Sequence, residues 1–182
     1  MKRREFFKSA AIFTATAFST FAGSASTANN SADIPSMNDQ ITSLSASALS
    51  LAIREREISC NEVMTAYLER IHRFNSTYNA IVSLASDDTL LEEAKAADKA
   101  LSKGEYWGWM HGMPHAVKDL ADVRGFVSSS GSPLFAGTVA KKDSLPVERM
   151  RNVGAIFIGK TNTPEFGLGS QTYNTVFGTT RN

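Results

Sequence analysis

Two short apolar runs, separated by a stretch with a helical pattern, constrain the fold of this chain more than any other feature. The first follows Pro114, and the second, A-I-F-I, occupies residues 155–158. Both have the length of buried strands. Between them, apolar residues recur at helical spacing over residues 143–152, with Asp143 as the predicted N-cap and Gly154 as the stop. Strand, helix and strand at these lengths predict a βαβ unit and an α/β fold with a mostly parallel sheet.

The part of the chain before these runs is predicted to be mainly helical. The sequence S-C-N-E at residues 59–62 has the form of a capping box, and Gly104 is placed to end the last helix. The predicted elements are helices over residues 43–56, 59–74 and 87–103 and a strand over residues 80–84. Residues 29–42 are predicted to form a flexible lead-in, most clearly over the small, polar stretch 29–36.

The N-terminal residues have the pattern of an export signal. Residues 2–8, K-R-R-E-F-F-K, are followed by a run rich in Ala, Phe and Thr and by small residues that offer a cleavage site near residues 25–28. The paired arginines resemble a twin-arginine signal, although other export signals also begin with basic residues. The run is too short and too weakly apolar for a stable membrane anchor. We therefore predict a signal peptide over residues 1–25, the twin-arginine export machinery as a partner, and a periplasmic or secreted product.

The charge of the chain argues against nucleic acid as a partner. The formal net charge is +1 at pH 7, and four of the basic side chains lie in the predicted leader. Acidic residues therefore outnumber basic ones in the remainder, and no basic stripe is left that could neutralise a phosphate backbone.

Lys118 is the first candidate for chemistry. It stands at the end of an apolar run in the sequence G-M-P-H-A-V-K-D of residues 112–119. A lysine in this place is either a solvated strand end paired with its neighbour Asp119, or an amine that burial keeps neutral and therefore basic. The residues alone leave both interpretations open.

Cys60 is the only cysteine, so an internal disulfide is impossible. Backbone N–H groups at a helix start would favour its thiolate form. His72 is a conceivable partner, but a spacing of twelve residues on one helix directs the two side chains to different faces. We therefore interpret Cys60 as a helix-start residue without chemistry.

Two further patterns do not carry a functional prediction. His111 and His115 could share a metal ion on a helix, but Pro114 favours a strand, which would separate them by about 13 Å, and the sequence offers no third ligand. Residues 154–161 match the phosphate-loop pattern G-x-x-x-x-G-K-[ST], but here the four intervening residues are the strand itself, and Pro164 breaks the helix that should follow. No metal and no cofactor are predicted.

The order of motifs after residue 112 resembles the amidase signature family. The resemblance rests on G-M-P-H-A-V-K-D, on G-K-T-N-T-P-E-F at residues 159–166 and on T-T-R-N at residues 179–182, and it extends weakly back to residue 43. It implies N-terminal helices followed by part of a mixed sheet flanked by helices. It also implies a Ser–cis-Ser–Lys triad in which Lys118 is the catalytic base. Such a base must be a neutral amine, which desolvation can supply.

The same resemblance places both serines of the triad beyond residue 182, in a G-G-S-S-G-G loop and further downstream. Residues 43–182 are therefore expected to be the N-terminal part of a single domain, truncated before that loop. The serine-rich stretch 128–132 is interpreted as a polar loop lining the cleft and not as the nucleophile. Asn162, Glu165 and Phe166 are predicted to be structural, with Glu165 meeting backbone N–H groups.

Two functions from different classes remain. The first is an amidase that hydrolyses a carbon–nitrogen bond of a small, non-peptide amide, linear or cyclic, with this fragment alone inactive. The second is a catalytically inactive truncated product that acts at most as a binding or interaction module. An unfinished sheet edge would be a liability for a stand-alone protein, which favours the first. The sequence leaves the substrate and the oligomeric state open.

Overall fold

The computed structural model of the protein describes residues 36–182. The predicted signal peptide over residues 1–25 and the first part of the predicted lead-in lie outside the described residues. The described elements are α1 (Met37–Ser43), α2 (Ala46–Arg54), α3 (Cys60–Tyr78), α4 (Asp87–Ser102), β1 (Pro114–Lys118), α5 (Leu145–Asn152), β2 (Ile156–Thr161), β3 (Tyr173–Asn174) and β4 (Gly178–Thr179), with short 3-10 turns at Pro133–Phe135 and Glu165–Gly167. The predicted α/β class, with helices first and a sheet after them, is confirmed.

Serine side chains start each of the first four helices. The hydroxyls of Ser36, Ser45, Ser59 and Ser86 each accept a hydrogen bond from a backbone N–H in the first turn, which satisfies a donor that the helix itself leaves unpaired. At α3 the predicted capping box between Ser59 and Glu62 is present in both directions.

The predicted flexible lead-in is wrong from residue 37 onwards, because α1 occupies that stretch. Ser36 caps the helix, Ile41 is buried in the core, and the Asp39 carboxylate lies 2.8 Å from the Arg73 guanidinium of α3. A short segment with one apolar anchor carries too little periodicity to be recognised from the sequence, and tertiary contacts with α3 are what make it helical.

β1 and β2 are parallel neighbours joined through α5, so the predicted βαβ unit is confirmed. In their register Val117 pairs with Lys160 and Lys118 with Thr161. The predicted strand over residues 80–84 is wrong as a regular strand. That segment makes one antiparallel bridge, from Ile81 to Thr161, and then follows β2 through scattered backbone hydrogen bonds.

A glycine in β2 explains how closely that segment approaches. A Cβ built on Gly159 would lie 2.6 Å from the backbone oxygen of Ser83, which is nearer than any real side chain could be. The absence of a side chain at residue 159 therefore lets an irregular segment run along the edge of β2.

The start of α5 also differs from the prediction. Ser144 stands at the N-cap, and no side chain caps the helix. The Asp143 carboxylate instead accepts a hydrogen bond from the Arg124 backbone N–H at 2.7 Å and one from Arg151 Nε at 2.7 Å. Arg151 lies on α5, and its charged guanidinium binds this carboxylate more strongly than the uncharged N–H groups at the start of the helix would.

One apolar core joins the helices to the sheet. Its buried residues include Leu49, Ile53, Val63, Met64, Leu90, Ala94, Ala97, Val123, Val147, Ile156 and Phe157. Within residues 36–182 no helix combines the length and the apolarity that crossing a membrane requires.

Candidate functional site

Lys118 lies at the carboxyl end of β1, and its side chain is exposed. The strand-end position is as predicted. The surface pair with Asp119 is not formed, because Asp119 is buried and its carboxylate binds Lys160 instead. Residues 36–182 leave Lys118 exposed, so they do not supply the desolvation that a neutral amine requires. The catalytic role of Lys118 stays a prediction.

The charged centre of this region is the pair of Asp119 and Lys160. Lys160 Nζ lies 3.1 Å from Asp119 Oδ1, and the two side chains are 0% and 1% exposed. Breaking such a pair is costly because it leaves an uncompensated charge in the interior. The pair was not predicted from the sequence. The available signal was a lysine inside a run with the pattern of a buried strand, where a charge needs an opposite partner.

The pair anchors the serine-rich stretch 128–132. The Asp119 carboxylate accepts hydrogen bonds from the Ser129 hydroxyl at 2.5 Å and from the backbone N–H groups of Ser129 and Gly131 at 3.2 and 3.4 Å. Lys160 Nζ donates to Ser128 Oγ at 3.2 Å and reaches the Val127 carbonyl at 3.5 Å.

These contacts correct the interpretation of that stretch as a polar loop lining a cleft. Ser129 and Ser132 are both 0% exposed, and the Ser129 hydroxyl is committed to Asp119. Ser130 has a positive φ of 53°, and its carbonyl accepts a hydrogen bond from the Phe166 N–H at 2.8 Å. The stretch is a buried anchor that ties the ends of β1 and β2 to the segment after β2.

Asn162 has the structural role that the sequence predicts. Its Oδ1 accepts hydrogen bonds from Asn174 Nδ2 at 2.7 Å and from the Thr163 N–H at 3.0 Å. Its Nδ2 donates to the Gly178 carbonyl at 3.1 Å. Asn174 Oδ1 in turn accepts from two backbone N–H groups. The two amides therefore fix the β3–β4 hairpin against the end of β2.

Glu165 does not meet backbone N–H groups. Its side chain is exposed, and within residues 36–182 its carboxylate makes no hydrogen bond. Phe166, its neighbour, is 47% exposed and lies edge-on to Phe135, with the ring centroids 6.2 Å apart. A side chain at Gly167 would meet Leu120 Cδ1 at 2.8 Å. We call Leu120, Phe135 and Phe166 the strand-end patch, since it begins two residues after Lys118.

Cys60 is not a nucleophile in this arrangement. Its side chain is buried, and desolvation, reinforced by the nearby Asp98 carboxylate, raises the pKa of the thiol far above its usual range. The thiolate that a helix start would favour is therefore not stabilised, because burial outweighs the helix N-terminus. His72 pairs with Asp87 at 2.8 Å instead.

The two histidines near β1 occupy separate environments. Both ring nitrogens of His111 are engaged, Nε2 with the Ala97 carbonyl and Nδ1 with the Trp107 N–H. His115 lies in β1, edge-on to Phe157, and burial lowers its pKa. Across residues 36–182 no group of three or more His, Cys, Asp or Glu side chains is placed to hold a metal ion. Of the residues that match the phosphate-loop pattern, 156–161 form β2, and α5 comes before it, so the match lies on a strand as predicted.

The chain resembles known amidases in sequence and in fold. The family model described as Amidase matches residues 62–182. Among solved structures, a bacterial aryl acylamidase of the amidase signature enzymes is 29% identical, with a TM-score of 0.70 over 76% of this chain and 29% of its own. The peptide amidase from Stenotrophomonas maltophilia is 28% identical, with a TM-score of 0.69 over 77% of this chain and 30% of its own.

Curated sequences also indicate a relationship to amidases. A glutamyl-tRNA(Gln) amidotransferase subunit from Acidothermus cellulolyticus is 37% identical over 134 residues, which are 74% of this chain and 26% of the relative. The chain therefore belongs to the amidase signature family. It spans about a quarter of the length of the curated relatives it matches.

Proposed function

We propose that the protein hydrolyses a carbon–nitrogen bond of a small amide through a Ser–cis-Ser–Lys triad in which Lys118 is the base. The observation that carries this proposal is the place of Lys118 at the carboxyl end of β1, in the G-M-P-H-A-V-K-D motif of an amidase signature chain. In α/β sheets, ligands bind outside the carboxyl ends of the strands.

In the proposed reaction Lys118 takes a proton from the middle serine of the triad. That serine in turn takes the proton of the nucleophilic serine, whose oxygen attacks the amide carbon. Backbone N–H groups hold the oxyanion of the tetrahedral intermediate. The amine or ammonia leaves with a proton, and water then releases the acid from the acyl-enzyme.

We assign neither serine to residues 1–182. The serine-rich stretch 128–132 does not supply them, because Ser129 and Ser132 are buried and the Ser129 hydroxyl already binds Asp119. The serines, and the surface that desolvates Lys118, are proposed to come from the rest of the amidase domain. Residues 1–182 by themselves are then inactive.

The strand-end patch supports a substrate with an apolar group. Leu120, Phe135 and Phe166 are between 44% and 47% exposed and adjoin the turn that follows Lys118. Apolar surface of this kind binds ligands by its removal from water. We therefore propose a small non-peptide amide, linear or cyclic, with an apolar substituent.

Export through the twin-arginine route is proposed from the leader sequence alone. Residues 2–8 carry the paired arginines, and small residues follow near residues 25–28. Replacing Arg3 and Arg4 together by lysine should hold the protein in the cytoplasm. Its appearance in the periplasm at an undiminished rate in cell fractionation would contradict this route.

The catalytic proposal is tested by amide hydrolysis, with residues 1–182 beside the product of the complete reading frame and a panel of small amides. In the complete protein, Lys118→Ala should abolish turnover and leave the circular dichroism spectrum unchanged. Lys142→Ala, at another exposed lysine, is the matched control and should keep full activity. Activity of Lys118→Ala within tenfold of the unaltered enzyme would refute the base assignment. Activity of residues 1–182 alone would place a nucleophile within them and contradict the placing of both serines outside them.

A further inference from the structure

A carboxylate immediately follows the proposed base, which is an unfavourable place for a negative charge. An amine beside an anion is stabilised in its ammonium form, and an ammonium cannot accept a proton. Asp119 nevertheless has a fixed place, since its carboxyl group accepts three hydrogen bonds from Ser129 and Gly131 at 3.4 Å or less. Hydrogen bonds to the charged form stabilise that form.

The geometry of the strands shows what offsets this charge. Val117 is the register partner of Lys160, and Asp119 reaches Lys160 Nζ at 3.1 Å on the same face of the sheet. Successive residues of a strand direct their side chains to opposite faces. Lys118 therefore points to the opposite, exposed side of the strand end.

Within residues 36–182, the buried residues of the two elements packed on β1, which are α3 and β2, include one charged side chain, that of Lys160. Lys160 is the only charged residue of β2. The buried residues of α3 are all uncharged. On β1 itself, burial lowers the pKa of His115 and so favours its neutral ring. The loops beyond the strand end carry exposed charged side chains at Asp122, Arg124 and Glu165.

We propose that Lys160 balances the charge of Asp119, so that this carboxylate can anchor residues 128–131 without placing a net negative charge beside Lys118. Lys160 is then a positioning residue that acts on the base through Asp119. This inference rests on the proposed function, because it assumes that Lys118 acts as a neutral amine.

Charge replacement in the complete enzyme tests this proposal, with the pH profile of kcat/KM as the readout. Lys160→Met leaves Asp119 unbalanced but still held by Ser129 and Gly131. The ammonium form of Lys118 is then favoured, and the acidic limb of the profile should move to higher pH. The expected shift is about one pH unit, the size for a unit charge within about 10 Å at an effective dielectric constant of about 20.

Two companion variants should give a shift of opposite sign and a restored profile. Asp119→Asn removes the negative charge that balances the Lys160 ammonium, so the acidic limb should move to lower pH. The double variant Asp119→Asn with Lys160→Met removes both charges, and its limb should return to within about 0.3 pH units of the unaltered enzyme. If Lys160→Met fails to fold, these two variants still decide the question.

A matched control breaks a different ion pair. Arg151→Met removes the guanidinium that lies 2.7 Å from Asp143 at α5, and its acidic limb should not move. Limbs that stay in place in all the Asp119 and Lys160 variants, with rates lowered equally at every pH, would overturn the inference and leave an ordinary structural ion pair. Full activity of Lys118→Ala in the same assay would instead overturn the proposed function.

Discussion

The helical layer of α1 to α4 and the region at the carboxyl ends of β1 and β2 are stabilised in different ways. The helices bury apolar side chains, among them Ile53, Met64 and Leu90. The strand ends bury Asp119, Lys160 and a set of serine and asparagine side chains that hold the surrounding loops. Apolar contacts are non-directional and tolerate exchange, whereas a buried charge pair depends on both partners.

This difference shows where a fixed geometry matters. The proposed base, Lys118, lies at the polar end, and the backbone N–H of the next residue donates to the Thr161 carbonyl at 3.0 Å. Hydrogen bonds specify direction as well as distance. The polar network therefore positions the strand end that carries Lys118, while the apolar layer supplies the stability on which that network depends.

The largest effect is expected from Lys160→Met. The loss of the ammonium leaves a buried carboxylate without its counter-charge, which should lower the free energy of unfolding by about 3–5 kcal/mol. Urea unfolding monitored by circular dichroism measures this. The matched change in the helical layer, Leu90→Met, introduces the same side chain and should cost less than about 1.5 kcal/mol. Equal losses of unfolding free energy at the two positions would show that the two regions are not stabilised in different ways.

A smaller loss is expected when a buried apolar side chain of the helical layer is shortened. Leu90 on α4 is 1% exposed, so Leu90→Ala should cost about 3 kcal/mol through lost burial and the cavity left behind. Leu51→Ala on α2 is the control, because Leu51 is 47% exposed, and it should cost less than about 1 kcal/mol. A cost below about 1 kcal/mol for Leu90→Ala would show that this layer is not close-packed.

Asn174→Ala should cost about 2 kcal/mol, because it removes the acceptor of the half-buried Val176 and Phe177 N–H groups and the donor to the Thr163 carbonyl. The effect should be local to the β3–β4 hairpin. Hydrogen exchange of the Val176 and Phe177 amides should accelerate, while that of the α3 amides stays unchanged. Uniform acceleration across the chain would show that the hairpin is not an independent polar unit.

The smallest effect concerns Asp143 and depends on pH. The Arg151 side-chain hydrogen bond holds the pKa of Asp143 below its usual value of 3.8. The folded state therefore binds this proton less readily than the unfolded state, and the contribution is present above about pH 4 and lost as the pH falls further. Asp143→Asn should lower Tm slightly at pH 7 and not at pH 3. A larger loss at pH 3 than at pH 7 would contradict the assigned sign.

The sequence predicted those parts of the fold that depend on local patterns. The capping box at Ser59, the end of α4 before Gly104 and the βαβ unit all follow from residue types at fixed spacing. The predictions for α1 and for the strand over residues 80–84 were wrong because both segments are short. Their conformation is set by what they pack on, which is α3 for one and β2 for the other.

At the site, the sequence by itself determined that Lys118 ends a strand, and it carried the motifs of the amidase signature family. The sequence could not determine which acidic side chain forms an ion pair with which basic one. Adjacency along the chain favoured a pair of Lys118 with Asp119, but side chains alternate across a strand, so Asp119 turns inward to Lys160, a residue far along the chain. Only the tertiary structure decided that partnership, because it depends on the register of two strands that no local pattern encodes.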